Sequence, residues 1–119
     1  MDLQRETLGE TVVIRVQDTR IDAAAAIRFK DAMREATAGA GPTVVLDLAR
    51  VAFVDSSGLG AIVAVMKMLA PATRLELAGL TGNVAKVFRL TRMDSVFTLH
   101  DRAPVAEAAG PEPGQAARV

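Results

Sequence analysis

Two spacings of apolar residues alternate along the chain, and each change of spacing marks a new element. Over 11–16, Thr-Val-Val-Ile-Arg-Val is rich in β-branched residues and predicts a strand. Gly9 and Glu10 supply the turn that joins it to a short edge strand at 3–8, so the chain opens on a hairpin. A polar stretch runs from there to Ile21. Asp22 then precedes an alanine-rich segment in which Ala26, Phe29, Met33 and Ala36 recur at helical spacing. That spacing predicts an amphipathic helix over 23–36, capped by Asp22 and ended by Gly39-Ala40-Gly41-Pro42.

Residues 43–48, Thr-Val-Val-Leu-Asp-Leu, are apolar almost without interruption, the pattern of a central strand covered on both faces. Residues 49–54 lead from it to Asp55-Ser56-Ser57-Gly58-Leu59-Gly60, where a helix over 57–69 begins. On that helix Leu59, Ile62, Val63, Met66 and Ala70 share one face, while Gly60, Ala61, Ala64, Lys67 and Met68 lie towards the other. The second face is nearly uncharged. Either the rest of the fold covers it, as is usual for a helix apolar all round, or it is a flat surface on which a partner packs.

Ala70-Pro71-Ala72-Thr73 breaks this helix, and 74–78 alternates as a half-buried strand. After Gly79, residues 83–90 place Val84, Val87 and Phe88 on one helical face, and 96–100 form a final short strand. Asp101 is placed to cap a terminal helix with Pro104 in its first turn, reaching about residue 109. Residues 110–119, headed by Gly-Pro-Glu-Pro-Gly, are expected to be a disordered tail. Alternating strands and helices predict a single α/β domain over 1–109, with parallel strands joined by right-handed crossovers and the hairpin adding antiparallel pairing.

Composition narrows the function more than the fold. The 119 residues suffice for one domain that buries a core without disulfide or metal support, and with only four aromatic residues, all Phe, that core must be aliphatic. Fourteen basic residues balance fourteen acidic ones with no basic cluster, so nucleic acid is not the expected partner. The absence of Cys excludes disulfides, thiolate chemistry and cysteine zinc sites. The first residues lack the charged-then-apolar order of a signal peptide, and no apolar run approaches the ~20 residues of a membrane span. A cytoplasmic protein without membrane insertion is expected.

The serine turn carries the candidate chemistry. Ser and Asp are favoured at helix N-caps because their oxygens accept hydrogen bonds from the first, unpaired backbone N–H groups. A hydroxyl there sits at the positive end of the helix dipole, where phosphorylation would install a charge of about −1.5 to −2. Ser56 is therefore a plain cap or a phospho-switch. A hydrolase is a poorer reading: the one histidine, His100, lies far along the chain, and Ser56 stands in Asp-Ser-Ser-Gly rather than in a Gly-x-Ser-x-Gly elbow. Asp18, Asp22, Asp47 and Asp55 could meet near strand ends around magnesium, but caps and solvated turns explain them more simply. Gly58-Leu59-Gly60 lacks the Gly-Lys-Ser continuation of a phosphate-cradling loop. No catalytic residue, metal or cofactor is expected.

The Asp55 to Gly60 hexapeptide, with an apolar strand before it and an apolar helix after it, resembles the signature of the STAS family, in particular the bacterial anti-sigma factor antagonists. The order of elements agrees over roughly residues 8–101. The resemblance implies a mixed sheet of four or five strands with helices mainly on one face, which argues against helices on both. It also implies that Ser56, directly after the aspartate, is the phosphorylation site. Asp22, Asp55, Ser56, Ser57, Gly58, Gly60, Ala61, Ala64 and Met68 would then form the partner-binding region. The implied partners are an anti-sigma factor serine kinase, which brings its own ATP and magnesium, and a metal-dependent serine/threonine phosphatase. The alternative within the family is a STAS subunit of another assembly, such as a lipid-transport complex, with no phosphorylation cycle; a small enzyme comes last. Two loops depart from the family pattern: Asp18-Thr19-Arg20-Ile21-Asp22, where relatives usually carry a Gly two or three residues before the aspartate, and Arg92-Met93-Asp94, where relatives often have Gly-Leu after the third helix.

Overall fold

The computed structural model describes residues 1–105. The order is β1 (Leu3–Leu8), β2 (Thr11–Val16), β3 (Arg20–Ile21), α1 (Ala26–Ala36), β4 (Thr43–Asp47), β5 (Phe53–Val54), α2 (Ser56–Leu69), β6 (Arg74–Ala78), α3 (Gly82–Leu90), a 3-10 turn (Met93–Ser95) and β7 (Leu99–His100). Five strands form one mixed sheet in the order β1-β2-β4-β6-β7. The opening hairpin pairs antiparallel, with Leu3 opposite Val16 and Leu8 opposite Thr11. All other neighbours are parallel, and Leu46 of β4 lies between Ile14 of β2 and Leu77 of β6.

Because side chains alternate along a strand, this register aims Val12, Ile14, Val16, Val44, Leu46, Leu75 and Leu77 at one face. The helices supply the matching surface through Phe29 and Met33 of α1, Ile62 and Val65 of α2, and Val84 and Phe88 of α3. Val13, Val45 and Ala78 point the other way, and Leu8 and Ala103 pack against them. The unbroken apolar run of β4 thus reflects burial on both faces, but only one face meets helices; on the other, among the described residues, it meets loop and strand side chains.

Four local expectations change. The first helix starts at Ala26, and its N-cap is Ala25 with no side-chain cap; Asp22 instead closes a turn ahead of the helix, its Oδ1 accepting from Ala25 N–H at 3.2 Å. The stretches 17–21 and 49–54 are more than connections, for β3 and β5 pair in parallel as a separate two-stranded ribbon. The last strand is two residues rather than five, because Val96 and Phe97 N–H both bond Met93 O in the turn after α3; Phe97 there meets Phe88 edge to face, with ring centroids 6.0 Å apart. Finally, Asp101–105 shows bends and no helix; the rest of the expected terminal helix and the expected tail lie outside the described residues. In the departing loop after α3, Arg92 takes up a left-handed backbone with φ 62°, the conformation in which glycine carries no Cβ penalty.

Candidate functional site

The site is built where the β3–β5 ribbon meets the start of α2. Ile21 and Val54 stand side by side in the ribbon and are buried, and Thr19 O accepts hydrogen bonds from Ala52 and Phe53 N–H. The ribbon lies so close to α2 that a Cβ added to Gly58 would fall 1.8 Å from the Ile21 carbonyl oxygen. Only glycine lets the helix and ribbon approach this closely. Gly58 thus serves the close approach of the ribbon, and its burial removes it from the expected partner surface.

Asp55 holds the junction together. It is the N-cap of α2: Oδ1 accepts from Gly58 N–H at 2.8 Å, and Oδ2 accepts from Ala23 N–H at 3.1 Å. One carboxylate thus ends the orphan state of a helix N–H and ties the loop before α1 to α2; hydrogen bonds to a charged acceptor contribute about 1.5–3 kcal/mol each. The cap is Asp55 and not Ser56, which corrects the capping role weighed for the serine. Ser56 and Ser57 are the first two residues of the helix, and both are exposed.

Asp22 stands beside this junction, half-buried. Its Oδ2 accepts from Arg20 Nε at 3.2 Å. That hydrogen bond is the main reason its carboxyl sits below its ordinary value; partial burial opposes it, and the Ala25 N–H adds to it. Along the outer face of α2, Gly60, Lys67 and Met68 are exposed and Ala64 is half-buried, so this face is not covered all round. Ala61 is 3% exposed and belongs to the core, so it leaves the expected partner surface together with Gly58.

The remaining chemistry is dispersed. His100 Nε2 lies 2.8 Å from Glu76 Oε1, across the β6–β7 pair, and has no part in the serine turn. Asp18 accepts from Asp2 N–H and Asp47 from Ala49 N–H, and no group of three or more metal-ligating side chains gathers among the described residues. No described helix is long and apolar enough to cross a membrane. Two residues that the sequence reading passed over stand beside this junction: Arg20 and Phe53, paired in register on the outward side of the ribbon, with the guanidinium carbon 4.3 Å from the ring centroid. The signal was short, an outward residue before a buried one at both 20–21 and 53–54.

The STAS domain model matches residues 2–107, and the chain belongs to the STAS domain family. Among solved structures it is similar to an anti-sigma factor antagonist from Mycobacterium paratuberculosis, at 25% identity over 91% of this chain and 89% of that one, with a TM-score of 0.73. It is also similar to the anti-sigma factor antagonist SpoIIAA in its unphosphorylated form, at 29% identity over 91% of this chain and 92% of that one, TM-score 0.66. The Bacillus cell fate determinant SpoIIAA in the phosphorylated form matches at 29% identity over 91% and 96% of the two chains, TM-score 0.60.

Proposed function

We propose that this protein is an anti-sigma factor antagonist whose binding is switched at Ser56. Unphosphorylated, it binds an anti-sigma factor of the serine-kinase type and so releases a sigma factor or comparable regulator; phosphorylation of Ser56 by that kinase ends binding, and a metal-dependent serine/threonine phosphatase restores it. The observation that carries this reading is the position of Ser56: exposed, at the first residue of α2, next to an aspartate already committed to capping. Since Asp55 caps the helix, the Ser56 hydroxyl is free of that duty and open to a kinase. The serine in turn lies beside the N-terminal dipole, which tolerates a phosphate. The likeness to SpoIIAA, solved in unphosphorylated and phosphorylated forms, supports the same assignment.

Incubation with a cognate kinase and ATP tests it. The expected result is a single phosphate on Ser56, lost in Ser56→Ala. Phosphate on Ser57 or on a threonine overturns the residue assignment, and no transfer from any such kinase overturns the switch.

A further inference from the structure

Of the four Phe residues, Phe29, Phe88 and Phe97 are buried, whereas Phe53 is 40% exposed, three residues ahead of Ser56. Strand alternation explains its direction, since Val54 fills the core and its neighbour must face out. The same holds for Ile21 and Arg20 in the paired strand. Arg20 lies over the Phe53 ring at 4.3 Å, and its side chain is 59% exposed. Its Nε is committed to Asp22, while its two terminal nitrogens have no hydrogen-bond partner among the described residues. The guanidinium rests over the ring and leaves its terminal donors open on the outward side of the ribbon.

We infer that the Arg20–Phe53 pair is a specificity element of the partner-contact surface, receiving a carboxylate side chain of the anti-sigma kinase at Arg20 and an apolar side chain against Phe53. The inference rests on the proposed function and names the chemistry of the partner at that site. A guanidinium offers only donors, and its planar fork matches a carboxylate two bonds at a time. The Asp22 carboxylate takes only Nε, so covering Arg20 in an interface would leave its two terminal nitrogens desolvated without acceptors unless the partner brings them, and a carboxylate meets both at once. An aromatic ring and an arginine in contact are also the residue types that dominate binding energy at interfaces. The arrangement couples to the switch: a phosphate on Ser56 adds an anion three residues after Phe53, where it repels the partner's carboxylate.

The test is the dissociation constant for purified kinase-type anti-sigma factor, measured at low and high salt with the full chain. Arg20→Gln is expected to weaken binding about tenfold or more, and to flatten its salt dependence. Arg20→Lys, which keeps the charge and loses the fork, should fall between wild type and Arg20→Gln. Arg74→Gln removes a cation from the start of β6, paired with the start of β4 at the other end of the sheet from the serine turn, and should bind as wild type does. Circular dichroism and melting confirm that each variant is folded. Wild-type affinity and salt dependence in Arg20→Gln and Arg20→Lys overturn the inference while leaving the proposed function standing. A wild-type chain that binds no such kinase removes the function, and the inference with it.

Discussion

Gly58 and Gly60 lie two residues apart and face opposite demands. A methyl on Gly58 would collide with the Ile21 backbone, at 1.8 Å from its carbonyl oxygen, whereas nothing lies within 4 Å of one on Gly60. Gly58→Ala is expected to cost about 3 kcal/mol or more, because backbone must move to admit it. Gly60→Ala should be neutral or stabilising by up to about 1 kcal/mol from helix propensity. Chemical denaturation of the two variants checks the contrast. A second test concerns Asp22, whose carboxyl is lowered from an ordinary value of 3.8, chiefly by the Arg20 hydrogen bond. A lowered folded value means that the carboxylate stabilises the fold above pH 3.8 and loses that contribution as pH falls through the lower value. Asp22→Asn should therefore be less stable at neutral pH and show a shallower loss of stability in the acid range, read from melting temperature against pH. At this scale the serine turn was legible, because capping chemistry is local and needs only neighbouring residues. The division of labour within it was not: Asp55 reaches Ala23, 32 residues away in sequence, and that bond depends on how two loops meet.

The α2 helix illustrates the same limit one level up. Its extent and its buried stripe through Leu59 and Ile62 follow from spacing, and so did the strands at 3–8, 11–16 and 74–78. Ala61 was assigned to the open face and Val65 was overlooked, yet both are buried. A nearly uncharged helix carries too little contrast between its sides to fix its rotation, which is set by the ribbon at Gly58 and by α1 packed alongside. The β3–β5 ribbon escaped for a different reason, since two residues per strand cannot display a period. The open part of the α2 face yields a prediction. Met68→Glu and Ala64→Arg should keep the wild-type melting temperature within a few degrees and weaken binding to the anti-sigma kinase by about tenfold or more. The added charge is hydrated in the free protein and must be desolvated in the complex. Titration calorimetry measures the loss; unfolding of both variants would mean that the face belongs to the core.

For the domain as a whole, the switch is expected to act without a change of fold. Ser56 opens α2 on the exposed side, and a negative charge at a helix N-terminus is favourable by about 0.3–1 kcal/mol. Ser56→Asp should keep the wild-type circular dichroism spectrum and nearly the same melting temperature, yet bind the anti-sigma kinase about a hundredfold more weakly, while Ser56→Ala still binds. A loss of a few kcal/mol suffices, since each 1.4 kcal/mol is about tenfold. A rearranged spectrum, or unchanged affinity, would refute a local electrostatic mechanism. The order of helices and main-sheet strands, the mixed sheet and the serine at the head of α2 could be read from the chain, because each depends on residue spacing, β-branching and capping within a few positions. Folding was needed to choose which sheet face the helices cover, to pair Arg20 with Phe53, to press Ile21 against Gly58 and to bridge Asp55 to Ala23. Those features are contacts between segments distant in sequence, and their geometry is set by how the core packs.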